Sequence, residues 1–424
     1  MLTAGAPSVF AFGLTGRLWI RRPGGMSCLG LRSRARSTSA GGRAAVCMDC
    51  FRTPVMKTEK KDGVEIVRRN GDLWAEGIEG SSSKTGIPKH LVVMVNGLVG
   101  SAEDWRFAAE QFIKKLPDKV IVHPGSACNS SRLTFDGVDL MGERLADEVL
   151  SVVNEKRGIL KISFVAHSLG GLIARYAIGR LYEPSNSFSS PVTTNQLKED
   201  DNWQGTIAGL EAMNFITFAS PHLGSRGHKQ LPFLCGLPFL EQRASEAAHL
   251  IVGRTGKHLF LTDDDGRPPL LLRMVDDGED IKFMSALRSF RRRVAYANAN
   301  YDHQKDMVGW RTSSIRRQQE LPKYHLLVED ENYPHIVHVD KGDNKNALEE
   351  ASSDVLAQKY DLEESMIQGL TQVPWERVDV SFQKSRQRYI AHNTIQEFMV
   401  FEHYIVESTG FDRAASSFYN FFLV

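Results

Sequence analysis

Short apolar runs alternate with amphipathic stretches through the middle of the chain. Runs of this length that end in loops rich in small and polar residues are typical of buried strands. They occupy residues 90–95, 119–123, 161–166, 214–219, 293–299 and 375–382. Helical spacing joins the apolar positions between the first three runs, namely Trp105, Ala108, Phe112 and Leu116, then Met141, Leu145, Val149 and Val152. Strands that alternate with helices predict an α/β fold, with a mostly parallel sheet flanked by helices on both faces.

Two stretches interrupt this rhythm within the predicted domain, which covers residues 88–424. Residues 225–290 include an apolar run punctuated by proline at 231–240. Over an active site such a run would be a lid that lines an acyl pocket, and an exposed lid would make peripheral contact with a membrane. Packing of an inserted subdomain is the alternative. Residues 322–374 form a second, polar and acidic insertion.

The first 60 residues differ in composition from the rest. Residues 1–52 contain eight arginines and a single acidic residue, Asp49, with Ser, Gly and Ala between them. A basic, acid-poor and serine-containing segment is typical of an organellar transit peptide, here for the chloroplast or another organelle. A disordered basic tail on a cytoplasmic protein is the alternative.

Overall composition excludes several classes of protein. A net charge of +1 over 424 residues gives no basis for nucleic-acid binding. Five scattered cysteines, an odd number, do not form a disulfide framework. Cys47 and Cys50 are a lone C-x-x-C without a second pair, so no metal site is expected there. No apolar run reaches the roughly 18 residues that a membrane span needs.

One serine stands between a predicted strand and a predicted helix, in the sequence His167-Ser168-Leu169-Gly170-Gly171. A sharp strand–serine–helix turn needs small residues two positions before and after the serine, and Ala166 and Gly170 occupy those positions. Such a turn exposes the Ser168 hydroxyl and leaves the N–H of Leu169 free for an oxyanion. The sequence therefore predicts a nucleophilic serine.

A serine nucleophile needs a general base, and the base needs a carboxylate to hold its tautomer. In this fold the partners follow in the order Ser, Asp or Glu, His, each after a later strand. Asp302 follows the 293–299 run and His392 follows the last predicted strand. Leu98, in the glycine-containing loop after the first strand, is expected to supply the second oxyanion N–H.

Two other histidines follow predicted strands or lie near them. His222 ends the segment after 214–219, where it is expected to shape a turn or the pocket wall. His335 lies in the acidic insertion and is the alternative base.

Four motifs together resemble the plant form of a serine esterase family within the lipase-like α/β-hydrolase superfamily. They lie at residues 92–98, 166–172, 220–224 and 308–316, and the resemblance covers residues 88–395. It implies hydrolysis of acyl esters, with lipids as the expected substrates, without a metal or an organic cofactor. Ser168 would be the nucleophile, an aspartate near 302 the acid and His392 the base.

The resemblance leaves three alternatives open. In the family, Asp-His runs directly into Met-Val-Gly-Trp, whereas Gln304, Lys305 and Asp306 intervene here, so Asp306 is the alternative acid. The same acyl-enzyme would also serve a lipid acyltransferase, which passes the acyl group to an alcohol instead of water. A catalytically silent lipid-binding protein with the hydrolase fold is the third alternative.

Overall fold

The structure is a computed structural model, and every residue that it describes lies in the compact unit Cys47–Val424. The described residues are 57–61, 64–69, 72–76, 88–116, 119–124, 127–185, 205–225, 253–263, 265–300, 308–331, 333–342 and 362–399. The arginine-rich segment up to residue 56, the apolar run at 231–240 and the apolar C-terminus from residue 400 lie outside the described residues.

Ten strands form one central sheet and two short strands form a separate pair. In chain order the strands are β1 (Lys57–Lys61), β2 (Val64–Arg69), β3 (Asp72–Glu76), β4 (His90–Val95), β5 (Val120–His123), β6 (Lys161–His167), β7 (Tyr182–Pro184), β8 (Gly205–Ile207), β9 (Glu211–Phe218), β10 (Arg292–Asn298), β11 (Ile336–Asp340) and β12 (Glu376–Val380). The order across the large sheet is β1-β2-β3-β5-β4-β6-β9-β10-β12-β11.

The six strands in the middle of the large sheet are parallel. Every neighbouring pair from β5 through β4, β6, β9 and β10 to β12 is parallel, whereas β1, β2, β3 and β11 run antiparallel to their neighbours. Loops that leave parallel strands gather at their carboxyl ends, which is where ligands bind in such sheets. The strand order and the predicted serine turn together give the α/β-hydrolase fold.

Eight named helices lie among the described residues, and a further helical segment spans 253–260. They are α1 (Arg106–Lys115), α2 (Val138–Glu155), α3 (Leu169–Leu181), α4 (Leu270–Arg273), α5 (Phe283–Arg288), α6 (Val308–Ser314), α7 (Leu362–Leu370) and α8 (Ala391–Met399). The expected apolar faces of α1 and α2 are buried.

Both faces of the sheet are covered, as the alternation of side chains along β4 shows. Leu91, Val93 and Val95 pack into the core that contains α2 and α3. Val92 and Met94 point the other way, into the core that contains α1 and α8. Successive side chains of a strand point to opposite faces, so a wholly apolar strand is buried on both sides.

The structure contains strands in segments for which no strand was predicted. The segment 57–76 forms the antiparallel strands β1 to β3, although it is rich in charges. Alternating charged residues are tolerated at the outer strands of a sheet, whereas the apolar-run criterion detects only buried strands. The acidic stretch 322–374 likewise contains the edge strand β11 and the helix α7, whose Met366 and Leu370 are buried.

The described part of the stretch 225–290 packs against the main domain. The Thr255 hydroxyl accepts the N–H of Gly137 at 3.0 Å and donates to the carbonyl of Thr134 at 2.7 Å. The Nδ1 atom of His258 accepts the N–H of Val138, the first residue of α2, at 3.0 Å. Burial lowers the pKa of His258, which favours the neutral ring that this acceptor role requires.

A buried arginine of α3 contacts the chain just before this stretch and again within it. Arg175 donates from its guanidinium to the carbonyl of His222 at 3.3 Å and to the carbonyl of Met274 at 2.9 Å. Burial lowers the pKa of Arg175 to about 9. The helix that begins after Ser168 therefore fixes the chain after β9 and again at Met274, before it returns to the sheet at β10.

A fully buried carboxylate joins the last parallel strand to α6. Asp379 of β12 is 0% exposed and accepts two hydrogen bonds of 2.8 Å from Arg316. The indole N–H of Trp310 donates to it at 2.6 Å, and Nδ1 of His338 lies 3.0 Å away. These partners compensate a charge that would otherwise be costly to bury.

We expect Arg316→Met to lower the free energy of unfolding by about 3–5 kcal/mol, because it leaves the Asp379 carboxylate buried without its cation. Arg317→Met is the matched control. That neighbouring side chain is 39% exposed in its ion pair with Glu364, so its loss should cost less than about 1 kcal/mol. Urea unfolding at pH 7 measures both values, and equal losses would contradict the assigned importance of the buried pair.

Burial, helped by the charge of Lys161, lowers the pKa of His90 to about 4 from 6.5. Below pH 6.5 the unfolded chain binds a proton that the folded chain refuses until about pH 4, so stability should fall across this window as pH falls. When the pH falls from 7 to 4.5, the free energy of unfolding of His90→Gln should fall by about 2 kcal/mol less than that of wild type. Urea unfolding at the two pH values measures this difference. A His90→Gln curve parallel to wild type would refute the assignment.

Candidate active site

Ser168 occupies the turn between β6 and α3 in a backbone conformation that side-chain-bearing residues seldom adopt. Its φ is 54° and its ψ is −127°. The Ser168 N–H donates to the carbonyl of Phe218 at 2.8 Å, and the Ser168 carbonyl accepts the N–H of Gly171 at 3.1 Å. Such backbone strain costs of order 1–3 kcal/mol and persists only where the surrounding structure imposes it.

Two glycines allow the first turn of α3 to pack against neighbouring strands. A Cβ atom on Gly170 would lie 2.4 Å from the carbonyl oxygen of Val95 and 2.7 Å from that of Asn96. A Cβ atom on Gly171 would lie 2.2 Å from Oγ of Ser220. Any side chain at these positions would push the turn away from the sheet, which explains the small residue required after the serine.

His392 lies in the first turn of α8, and its Nε2 atom is 2.9 Å from Oγ of Ser168. The helix that carries it is anchored by the buried side chains of Ala391 and Ile395. Gln396 adds a hydrogen bond of 3.1 Å from its side-chain amide to the carbonyl of Asp104. The structure therefore brings together a hydroxyl and an imidazole that are 224 positions apart in the sequence.

The loop after β4 lies against the serine. A Cβ atom on Gly97 would be 3.0 Å from the Cβ atom of Ser168, so this position can approach the serine because it lacks a side chain. Asn96 donates from its side chain to the carbonyl of Asn129 at 3.0 Å, and the Val99 N–H donates to Oγ1 of Thr134 at 2.9 Å. These bonds fix the loop on both sides of Leu98.

Two backbone N–H groups at this point lack partners in the described part of the chain. Leu98 follows Gly97, and no hydrogen bond engages its N–H. Leu169 is the first residue of α3, where an N–H has no acceptor within the helix. The N-terminus of a helix also attracts negative charge through its macrodipole. The arrangement can therefore accept an oxyanion formed next to Ser168.

Both candidate acids, Asp302 and Asp306, lie outside the described residues. The chain is described as far as Asn300, whose side-chain amide donates to Oγ of Ser381 at 3.2 Å, and again from α6 onward. The choice between Asp302 and Asp306 therefore stays a prediction.

The two other histidines have different surroundings. His222 is fully buried, with Nε2 3.0 Å from Oγ1 of Thr217, and burial lowers its pKa well below the ordinary value. The ring of His335 packs against Phe382 with 4.8 Å between ring centroids, and burial lowers its pKa as well. The imidazole that hydrogen-bonds Ser168 belongs to His392.

His167 is a residue of the site to which the sequence assigned no role. Its Nε2 atom lies 2.7 Å from the carbonyl oxygen of His392, and the centroids of the two imidazole rings are 4.9 Å apart. The only signal in the sequence was its position next to Ser168, since a contact with residue 392 has no local pattern.

Among the described residues, no helix is long and apolar enough to cross a bilayer, and no group of at least three His, Cys, Asp or Glu side chains could hold a metal ion.

Comparison with known proteins relates the chain to esterases and lipases. The family described as "Putative serine esterase (DUF676)" matches residues 86–314, more than half of the chain. The chain is 31% identical over 240 residues to "Putative lipase ROG1" of Saccharomyces cerevisiae, which is 54% of this chain and 29% of that protein. It is 26% identical over 246 residues to "Putative lipase C4A8.10" of Schizosaccharomyces pombe, which is 55% of this chain and 27% of that protein. The matched region thus spans less than a third of each of these relatives.

Similarity to solved structures is lower. A thermophilic esterase from Thermogutta terrifontis is 12% identical, with 84% of this chain and 92% of that chain covered and a TM-score of 0.36. A lipase/esterase from Lactobacillus plantarum is 11% identical, with 61% and 82% covered and a TM-score of 0.31.

The family match agrees with the α/β-hydrolase fold of the described residues. Because the family match covers more than half of its length, this chain belongs to the serine esterase family that matches residues 86–314.

Proposed function

We propose that the protein is a lipase-like serine carboxylester hydrolase that works through a Ser-His-Asp triad and an acyl-enzyme. The observation that carries this proposal is the distance of 2.9 Å between Oγ of Ser168 and Nε2 of His392. A serine hydroxyl becomes an effective nucleophile when an imidazole at this distance accepts its proton. The strained turn beside two N–H groups supplies the remaining geometry.

The first half of the reaction acylates the serine. Nε2 of His392 takes the hydroxyl proton as Oγ of Ser168 bonds to the acyl carbonyl carbon, and the carbonyl oxygen becomes an oxyanion. The N–H groups of Leu98 and Leu169 donate to that oxyanion. The carbon–oxygen bond of the ester then breaks, and the leaving alcohol receives the proton from His392.

The second half releases the acid. Water gives a proton to Nε2 of His392 and attacks the acyl-enzyme, so that a second oxyanion forms at the same two N–H groups. Collapse of this intermediate frees the carboxylic acid and returns the proton to Oγ of Ser168.

Asp302 is the proposed acid, because it follows β10 by four residues and so stands where the third member of the triad is expected in this fold. A carboxylate there would hold the His392 ring in the tautomer that accepts at Nε2, and would stabilise the imidazolium that forms.

A lipid acyl ester is the proposed substrate. Support comes from the names of the relatives, which describe them as lipases, and from the apolar run at 231–240, which lies outside the described residues. In the proposal this run is the lid that contacts the acyl chain and, with it, a membrane surface.

Ser168→Ala should abolish covalent labelling by a fluorophosphonate probe and lower ester turnover by about 10³-fold or more, because the nucleophile is gone. Ser220→Ala is the matched control, since that serine lies beside Gly171 with its buried hydroxyl unpartnered among the described residues. It should label and turn over substrate like wild type. A folded wild-type protein that the probe does not label would contradict the proposed nucleophile.

Substitution of each candidate acid by Asn separates the two. Asp302→Asn should lower kcat by about 10²–10⁴-fold with little change in KM, because the histidine loses the carboxylate that orients it. Asp306→Asn should stay within about threefold of wild type. The reverse pattern would assign the acid to Asp306, and two active variants would show that neither aspartate is the acid.

A further inference from the structure

The imidazole directly before the nucleophile is bonded to the residue that carries the proposed base. Nε2 of His167 lies 2.7 Å from the carbonyl oxygen of His392. A carbonyl oxygen only accepts, so Nε2 of His167 carries the hydrogen and donates it. The His167 ring is 6% exposed, and it is tilted by 53° against the His392 ring. Since this nitrogen already holds a proton, it cannot accept the one from Ser168.

The bond acts on the helix turn that carries the base. His392 is the second residue of α8, and terminal turns of helices are the parts that fray. Attachments of this helix include the buried Ala391, Thr394 and Ile395 and the bond from Gln396 to Asp104. His167 donates a hydrogen bond to the backbone of His392 itself.

The same imidazole also lies against the oxyanion loop. A Cβ atom on Gly97 would be 3.4 Å from Nδ1 of His167 and 3.0 Å from Cβ of Ser168. One side chain therefore adjoins the base, the nucleophile and the loop that precedes Leu98. Rigid coupling of these three matters, because a displacement of about 1 Å between reacting groups can cost about 100-fold in rate.

We propose that His167 is a positioning residue, which ties the backbone of His392 to the end of β6 and so keeps the base within hydrogen-bond reach of Ser168. The inference rests on the proposed function. It predicts a loss of kcat with substrate binding retained, because His167 orients the base and does not bind the acyl ester.

His167→Leu, which removes the donor, should lower kcat on a soluble p-nitrophenyl ester by about 10- to 100-fold, with KM within about twofold. The rate of fluorophosphonate labelling should fall in parallel. His167→Gln should recover most of both, because the Gln side-chain amide nitrogen reaches about as far as Nε2 of the imidazole. His167→Asn is polar but too short to reach the carbonyl, so it should behave like His167→Leu.

The controls separate positioning from general destabilisation. His90→Gln replaces another histidine of the sheet, at the amino end of β4 and away from the serine, and should keep wild-type kcat. If His167→Leu does not fold, the test is the comparison of kcat between the Asn and Gln variants, which should have equal melting temperatures. Wild-type kcat in the Asn variant, or equal losses in folded Asn and Gln variants, would overturn the proposal.

Wild type and Ser168→Ala are measured beside these variants. If wild type is labelled and Ser168→Ala is not, the proposed function holds. Unchanged kcat in all variants at position 167 would then refute only the positioning role. If wild type is neither labelled nor active, the proposed function fails and the role of His167 falls with it.

Discussion

The strained backbone of Ser168 is the constraint on which the site depends. A positive φ at a residue with a side chain is unfavourable, so the turn forms only because both neighbouring elements are fixed. β6 is fixed between two parallel strands, and α3 is seated against the end of β4 through Gly170. Packing of β6 and α3 therefore also holds the Ser168 hydroxyl outside the sheet, within hydrogen-bond distance of His392.

Much of this arrangement could be predicted from the sequence, because it follows from local patterns. Apolar runs identify β4 and β6, since strands buried on both faces need apolar residues at every position. The serine turn is recognisable because its steric demands fall on residues close in sequence, and His392 was found by its order after the last strand. Contacts between remote residues could not be predicted in this way, because neither the donor to the carbonyl of His392 nor the three partners of Asp379 have a signature within their own segments.

The pattern of apolar runs also fails to predict the strands and buried charges that polar segments form. The charged residues at 57–76, for which the sequence predicted no strand, form three outer strands, because an outer strand needs backbone pairing more than apolar side chains. Asp379 shows the opposite case, a charge at a central position that is fully buried. Its cost is offset by Arg316 and Trp310, which lie in and just after α6, and by His338 of β11. Burial of such a group depends on tertiary partners, so composition alone could not indicate it.

The hydrogen bonds from Arg175 to the carbonyls of His222 and Met274 have a consequence for how the length of the chain between these residues can vary. Both ends of the intervening stretch are fastened to the helix behind the nucleophile. Since the entropic cost of closing a loop rises only slowly with its length, the length of chain between these two contacts can change at small cost in loop entropy, as long as Thr255 and His258 keep their hydrogen bonds to the main domain. Such changes in length need not disturb the turn that holds Ser168.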